Sequence, residues 1–179
     1  MKMSDYENLM KIIKQRRSVR AYREKDLSDE DLNKLLEAAQ SAPSAGNLQA
    51  REFIVVRDAH TKHQLSEAAL GQFFIAKAPL VLVGCANIGR SSRNYGDRGE
   101  LYAVQDVTIA ASYIQLAAES MGLSTCWIGA FYEDKVRKLL ELPLDVRAVL
   151  MLPVGYPNEA PMPTTRMDIK RFTHKERWS

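Results

Sequence analysis

The stretch KQRRSVRAYRE sets Arg16, Arg17, Arg20 and Arg23 within eight positions around one serine, Ser18, in a chain whose net charge is only +3. Guanidinium forks bind phosphate oxygens two at a time and a serine hydroxyl adds a neutral donor, so the cluster suits a phosphate. A solvated basic segment is the plainer reading of the same residues. Three further features favour the phosphate. The loop PSAGNLQ offers Ser44, Asn47 and Gln49, and each amide carries a donor and an acceptor with which to read the edge of a heterocycle. The segment TCWIGAF sets Gly129 just after Ile128, at the end of an apolar run, where backbone can come close to a flat ligand. Arg166, in PTTR, brings one more cation from far along the chain.

Other chemistry is poorly provided for. His60 and His63 are three apart without a third ligand of the usual kind, so no metal is expected. No side chain is arranged as a nucleophile. Cys85 and Cys126 lie far apart in apolar runs, the pattern of buried reduced thiols rather than of a disulfide or a zinc site. Arg93 and Tyr95 read as exposed loop residues, Phe73, Phe74 and Trp127 as core, and Trp178 as an anchor for the tail.

The elements that must position these groups follow from periodicity. Tyr6, Leu9, Ile12 and Ile13 recur at helical spacing, which predicts a helix over 5–15 that delivers the arginines at its C-terminal end. A second helix begins at Ser28 as N-cap, with Asp31 to complete a capping box and a Leu27–Leu32 staple. Its apolar face is Leu32, Leu35, Leu36 and Ala39. Strands are expected over 52–57, 80–86, 124–129 and 147–156, with 80–86 apolar enough to be buried on both faces. Helices are expected over 58–70, 100–121 and 133–142, the second of them stopped by Gly122. Residues 87–99, NIGRSSRNYGDRG, have loop composition. The tail beyond Tyr156 reads as extended and anchored.

Strands and helices interleave irregularly, the first strand comes after two helices, and no G-x-G-x-x-G turn follows a strand. The pattern therefore indicates an α+β sandwich rather than a dinucleotide-binding unit. An apolar fraction of 46% with 26% charged residues is that of a globular protein, and the length suits one domain, residues 1–179. With 25 basic residues against 22 acidic ones, no nucleic-acid partner is expected. The N-terminus lacks a signal-peptide core and no apolar run would span a bilayer, so the expected location is cytoplasmic with no membrane partner.

In order along the chain, RRSVRAY, SAPSAGNLQ, APLVLV, LYAVQDVTIAASYIQLAAESMGLSTCWIGAF, LPVGYP and a downstream arginine resemble the FMN-dependent nitroreductase family. The resemblance runs from about Ile12 to Trp178. It implies an α+β three-layer sandwich, a mainly antiparallel central sheet flanked by helices, working as an intertwined homodimer with FMN at the subunit interface. It implies that Arg16, Arg17 and Ser18 meet the FMN phosphate and ribityl end, joined by Arg166, and that Arg20 reaches the pyrimidine edge near N1 and O2. Ser44, Asn47 and Gln49 would come from the partner subunit. Ile128 and Gly129 would line the ring, and helix 100–121 would form the dimer core. One departure stands out: the family often follows its Asn-x-Gln with Pro-Trp, and this chain has Ala50-Arg51.

The chemistry so implied belongs to the cofactor, the protein supplying binding, orientation and electrostatics. NADH or NADPH would reduce FMN and leave, and a nitro compound, quinone or similar small acceptor would then take the electrons, in a ping-pong cycle. Arg20, charged at any working pH, would favour reduction by facing the anionic N1 edge. A non-catalytic FMN carrier or sensor is the competing class. Ene reduction, reductive dehalogenation and flavin fragmentation remain open within the family.

Overall fold

Ser4 opens the first helix, α1 (Asp5–Gln15), with a complete capping box: its hydroxyl accepts from the Glu7 backbone and the Glu7 carboxylate accepts from the Ser4 N–H. The computed structural model describes residues 3–178. The apolar stripe of α1 is as expected, but it faces solvent. Tyr6, Leu9 and Ile13 are 72%, 50% and 42% exposed, and no residue of α1 is buried. Helix α2 (Asp29–Gln40) starts where expected, with the Ser28 hydroxyl accepting from Asp31 N at 3.0 Å. The capping box stays half-formed, because the Asp31 carboxylate turns toward the Tyr156 hydroxyl, 3.5 Å away.

Four strands, β1 (Arg51–Val56), β2 (Leu80–Asn87), β3 (Ser124–Thr125) and β4 (Val146–Gly155), form an antiparallel sheet in the order β1-β2-β4-β3. Alternate residues of central β2 serve two cores, as its unbroken apolar run requires. Leu80 and Leu82 pack with Leu35 of α2 and Ile114 of α6 (Gly99–Ser120) on one face. Val81 and Val83 pack on the other face with Leu65 of α3 (Ala59–Ala68), Ile75 of α4 (Phe74–Lys77) and Val136 of α7 (Glu133–Leu139). The result is a helix–sheet–helix sandwich, the α+β architecture expected.

Helix α6 ends in a Schellman motif. Gly122, at φ 72°, lets Leu123 N reach Ala118 O at 2.9 Å and Gly122 N reach Glu119 O at 3.1 Å.

Four further expectations need correction. Residues 87–99 are not a loop: helix α5 (Ile88–Tyr95) and a 3-10 turn (Gly96–Arg98) lead directly into α6. Tertiary contacts hold α5 in place of an apolar stripe. The Asn87 side chain caps Arg90 N at 2.9 Å, and Asp145 O accepts from Ile88 N at 2.8 Å. Second, the strand expected over 124–129 is interrupted. Ser124, Thr125 and Ile128 pair with Gly155, Val154 and Met151 in one register, which sets Cys126 opposite Pro153, a residue with no N–H to give. Third, the tail is anchored only at its root. Tyr22 bridges Pro157, Asn158 N donates to Ala21 O at 2.9 Å, and beyond that Phe172 and Trp178 are 60% and 87% exposed. Trp178 stacks on His174 rather than on the body of the fold. Phe73, expected in the core, is exposed too.

Candidate functional site

The arginine segment leaves α1 and runs along the free edge of β3. Ser18 forms a parallel bridge with Thr125, and Val19 N donates to Thr125 O at 3.1 Å. Buried Tyr22 closes the turn by donating its hydroxyl to Val19 O at 2.7 Å. Burial, with the nearby Cys126 and Glu159 adding to it, holds that phenol well above the usual tyrosine range.

The structure divides the four arginines by task. Arg17 Nη1 donates to three carbonyls at the end of α1, those of Lys14 at 2.6 Å, Gln15 at 3.1 Å and Arg16 at 2.9 Å. It is a helix cap, placed where a cation is favoured. Arg23 Nε donates to Pro157 O at 2.9 Å and so fastens the root of the tail. Among the described residues the guanidiniums of Arg16 and Arg20 accept no such duty. Neither forms a hydrogen bond or ion pair, and Arg20 rests with its charge 5.9 Å above the centre of the Phe74 ring. Both lie near Cys126, whose thiol is raised by burial and partly drawn down by Arg20, Ser18 and Arg16. Arg16, Ser18 and Arg20 thus share one edge with Ile128, which is buried, and Gly129, which is exposed. A side chain added at Gly129 would meet only Trp127 Nε1, at 3.8 Å.

The Asn/Gln loop is built at the opposite edge. Gly46, Asn47 and Gln49 all have left-handed backbone, at φ 54°, 56° and 52°, a conformation that costs energy at non-glycine residues and clusters at ligand sites. Buried Asp106 of α6 fixes both ends of the loop, its carboxylate accepting from Ala45 N at 2.9 Å and Ala50 N at 3.0 Å. The Ser44 hydroxyl accepts from Gln49 N at 3.0 Å. Helix α5 braces the outside: Arg90 donates to Gln49 O at 2.6 Å, and the Tyr95 phenol occupies the space a β-carbon on Gly46 would need. Asn47 and Gln49 are left exposed at the tip.

The predicted residues therefore fall into two patches. From β1 across β2, β4 and β3 to the Ser18 segment there are four strand spacings, about 19 Å, further than one three-ring heterocycle spans. Arg166 joins neither patch, since its guanidinium bonds only its neighbours Thr164 and Thr165. Asp106 escaped the sequence reading, although an acid between Ala103 and Ala110 on the buried face of α6 was a usable signal. Arg147 escaped it too. Beside Gly129 it grips Glu133 with Nε at 2.9 Å and Nη2 at 2.8 Å, and Glu100 with Nη1 at 2.9 Å.

With this geometry in view, comparison with known proteins is informative. The family model described as the Nitroreductase family matches residues 13–85 and 69–156. An FMN reductase (NAD(P)H) of Bacillus subtilis is 32% identical over 182 residues, covering 94% of this chain and 73% of that protein. The NADPH:FMN oxidoreductase of Vibrio harveyi, solved in complex with NAD+, superposes with a TM-score of 0.90 at 26% identity, over 96% of this chain and 78% of the other. An FMN-dependent nitroreductase of Clostridium difficile R20291 gives a TM-score of 0.81 at 31% identity, over 94% of this chain and 99% of the other. On the match of its sequence along most of its length, and of its fold, the chain belongs to the Nitroreductase family.

Proposed function

We propose that the chain is an FMN-dependent oxidoreductase that passes electrons from NAD(P)H to a small nitro, quinone or similar acceptor, acting as a homodimer. The observation that carries the reading is the pair of free guanidiniums, Arg16 and Arg20, flanking Ser18 on an edge shared with open Gly129. Four arginines side by side would normally disperse into solvent or pair with acids. Here two are committed to the fold, and two form no hydrogen bond or ion pair among the described residues. That donor set fits a ligand with a phosphate at one end and a flat polar ring at the other, as FMN is.

When bound, FMN supplies the chemistry, accepting hydride from NAD(P)H and releasing electrons to the acceptor. The chain binds and orients. Arg16 and the Ser18 hydroxyl hold the phosphate by charge-assisted and neutral hydrogen bonds, with Arg166 added from the tail. Arg20 holds a permanent positive charge at the pyrimidine edge and so favours the reduced, anionic form. Ile128 gives the ring an apolar floor, and Gly129 keeps the approach open. Ser44, Asn47 and Gln49 offer hydroxyl and amide groups to the ring edge from the other copy.

Two features support the dimer. The patches sit on opposite edges of the sheet, so one ligand touching both draws them from different chains. The exposed stripe of α1 is matched by Leu101, Ile109 and Tyr113 of α6, which are 46%, 37% and 40% exposed, and burying such faces would stabilise an association. No helix among the described residues is long and apolar enough to cross a membrane.

The test is stopped-flow mixing of the FMN-loaded protein with NADH or NADPH, followed by a quinone or nitroaromatic. Rapid bleaching of the flavin absorbance and its recovery on adding acceptor are expected. Retention of FMN without bleaching by either donor would overturn the enzyme in favour of a carrier or sensor.

A further inference from the structure

Glu159 lies outside every motif read from the sequence, and it makes an unusual bond. Its carboxylate Oε1 accepts from two consecutive backbone donors, Arg20 N and Ala21 N, the second at 3.1 Å. Residues 21–23 and 156–158 pair just before this point, with Arg23 N donating to Tyr156 O and Asn158 N to Ala21 O, both at 2.9 Å. At the next step that backbone pairing gives way, and the Glu159 side chain takes its place. An acid so close to Arg20 would ordinarily pair with the guanidinium and cancel its charge. No such ion pair forms: the carboxylate is engaged by the amides, and the Arg20 tip lies over Phe74. The charge of Glu159 nonetheless reaches the site, since it disfavours ionisation of both Tyr22 and Cys126, whose main perturbation is burial.

We infer that Glu159 is a positioning residue for the flavin reaction: it pins the backbone of Arg20 so that the guanidinium stays unpaired and aimed, and its negative charge tempers the positive field that Arg20 applies. Two effects follow with separate signatures. Pinning needs an acceptor oxygen, which Glu159→Gln retains and Glu159→Ala removes. Tempering needs the charge, which both variants remove. A negative charge near an anionic reduced ligand disfavours reduction, so its removal makes the flavin easier to reduce. The inference rests on Arg20 facing the flavin, as proposed above.

The experiment measures FMN affinity by quenching of flavin fluorescence on titrating apoprotein, and the midpoint potential of the loaded protein, in wild type, E159Q, E159A, R20A and R20A/E159A. E159A should bind FMN about five- to twentyfold more weakly, having lost two charge-assisted bonds at a partly exposed position. E159Q should bind within about threefold of wild type. Yet its preference for reduced over oxidised FMN should rise about three- to tenfold, which is about 14 to 30 mV for a two-electron couple. In the R20A background, E159A should add less than about a twofold further loss, because the effect runs through Arg20. A merely structural glutamate would leave the E159Q potential at the wild-type value and give additive losses in the double variant, and either result overturns the inference. If R20A changes affinity and potential while neither Glu159 variant does, the inference fails and the site reading stands. If R20A itself matches wild type in both, the site reading fails and takes the inference with it.

Discussion

Replacing Asp106 by asparagine tests the scaffold of the Asn/Gln loop. The carboxylate is 2% exposed and uses one oxygen for Ala45 N and the other for Ala50 N, at 2.9 and 3.0 Å. Asparagine keeps one acceptor. It sets an NH2 group against the other backbone N–H, so one donor is orphaned and the surviving bond loses its charge. A hydrogen bond to a charged group contributes about 1 kcal/mol more than a neutral one, which the surviving bond loses, and a buried donor left unmatched costs about 1–3 kcal/mol. The two together give about 2–4 kcal/mol of lost stability. For a chain of 179 residues, where each kcal/mol moves Tm by about 2–4 °C, Tm should fall by about 5–15 °C. Differential scanning calorimetry measures this directly. FMN titration of the folded variant at low temperature should also show about tenfold weaker binding, because the loop tip is no longer held. A D106N protein that melts within about 2 °C of wild type would refute the argument that this acid holds the loop closed.

Arg16→Ala and Arg166→Ala should each weaken FMN retention about tenfold through loss of a charge-assisted bond, as seen by equilibrium dialysis; unchanged retention in both would count against the assigned phosphate site. Arg17→Ala should instead lower thermal stability while leaving FMN affinity within about threefold, since Arg17 is occupied with the α1 carbonyls; the reverse pattern would mean that the division of tasks is wrong. Gly46→Ala should be destabilising, because φ is +54° and the new β-carbon would meet the Tyr95 hydroxyl; Tyr95→Phe in the same chain should recover part of the loss in a urea melt. Hydrogen bonds from Arg147 hold the Glu133 carboxyl below its ordinary value of 4.5. Its stabilising effect is therefore complete above that value and lost as pH falls through the lower folded one, so E133Q should show a shallower decline of Tm between about pH 5 and pH 3 than wild type.

Much of the architecture was legible because its determinants are local. A capping serine, a glycine at the end of α6 and the unbroken apolar run of β2 each act within a few residues. The arginine cluster, the SAGNLQ loop and the WIG segment were legible as chemistry for the same reason. Illegible were the features decided by distant partners. Helix α5 has no apolar stripe to announce it and owes its place to Asp145, Asn87 and the loop it braces. The two residue types in the cluster gave no means of telling a capping arginine from a free one, because that depends on where the end of α1 falls. The break in the third predicted strand came from Pro153, a residue 27 positions beyond the Cys126 it faces. The exposed tail misled for a related reason: its Phe172 and Trp178 have the composition of anchors, yet both are largely exposed and Trp178 stacks on His174 of the tail itself.

If the protein is the homodimer proposed above, the placement of the two patches on opposite sheet edges has a genetic corollary. Suppose one allele carries a lesion in the Arg16–Arg20 edge and another a lesion at Asn47. Pure assemblies of either allele would have every pocket spoiled. A hybrid of the two would concentrate both defects in one pocket and leave the other wholly intact. Co-expressing two inactive alleles should therefore rescue up to half of the pockets in each hybrid particle, a behaviour that a pocket drawn from a single polypeptide could never show.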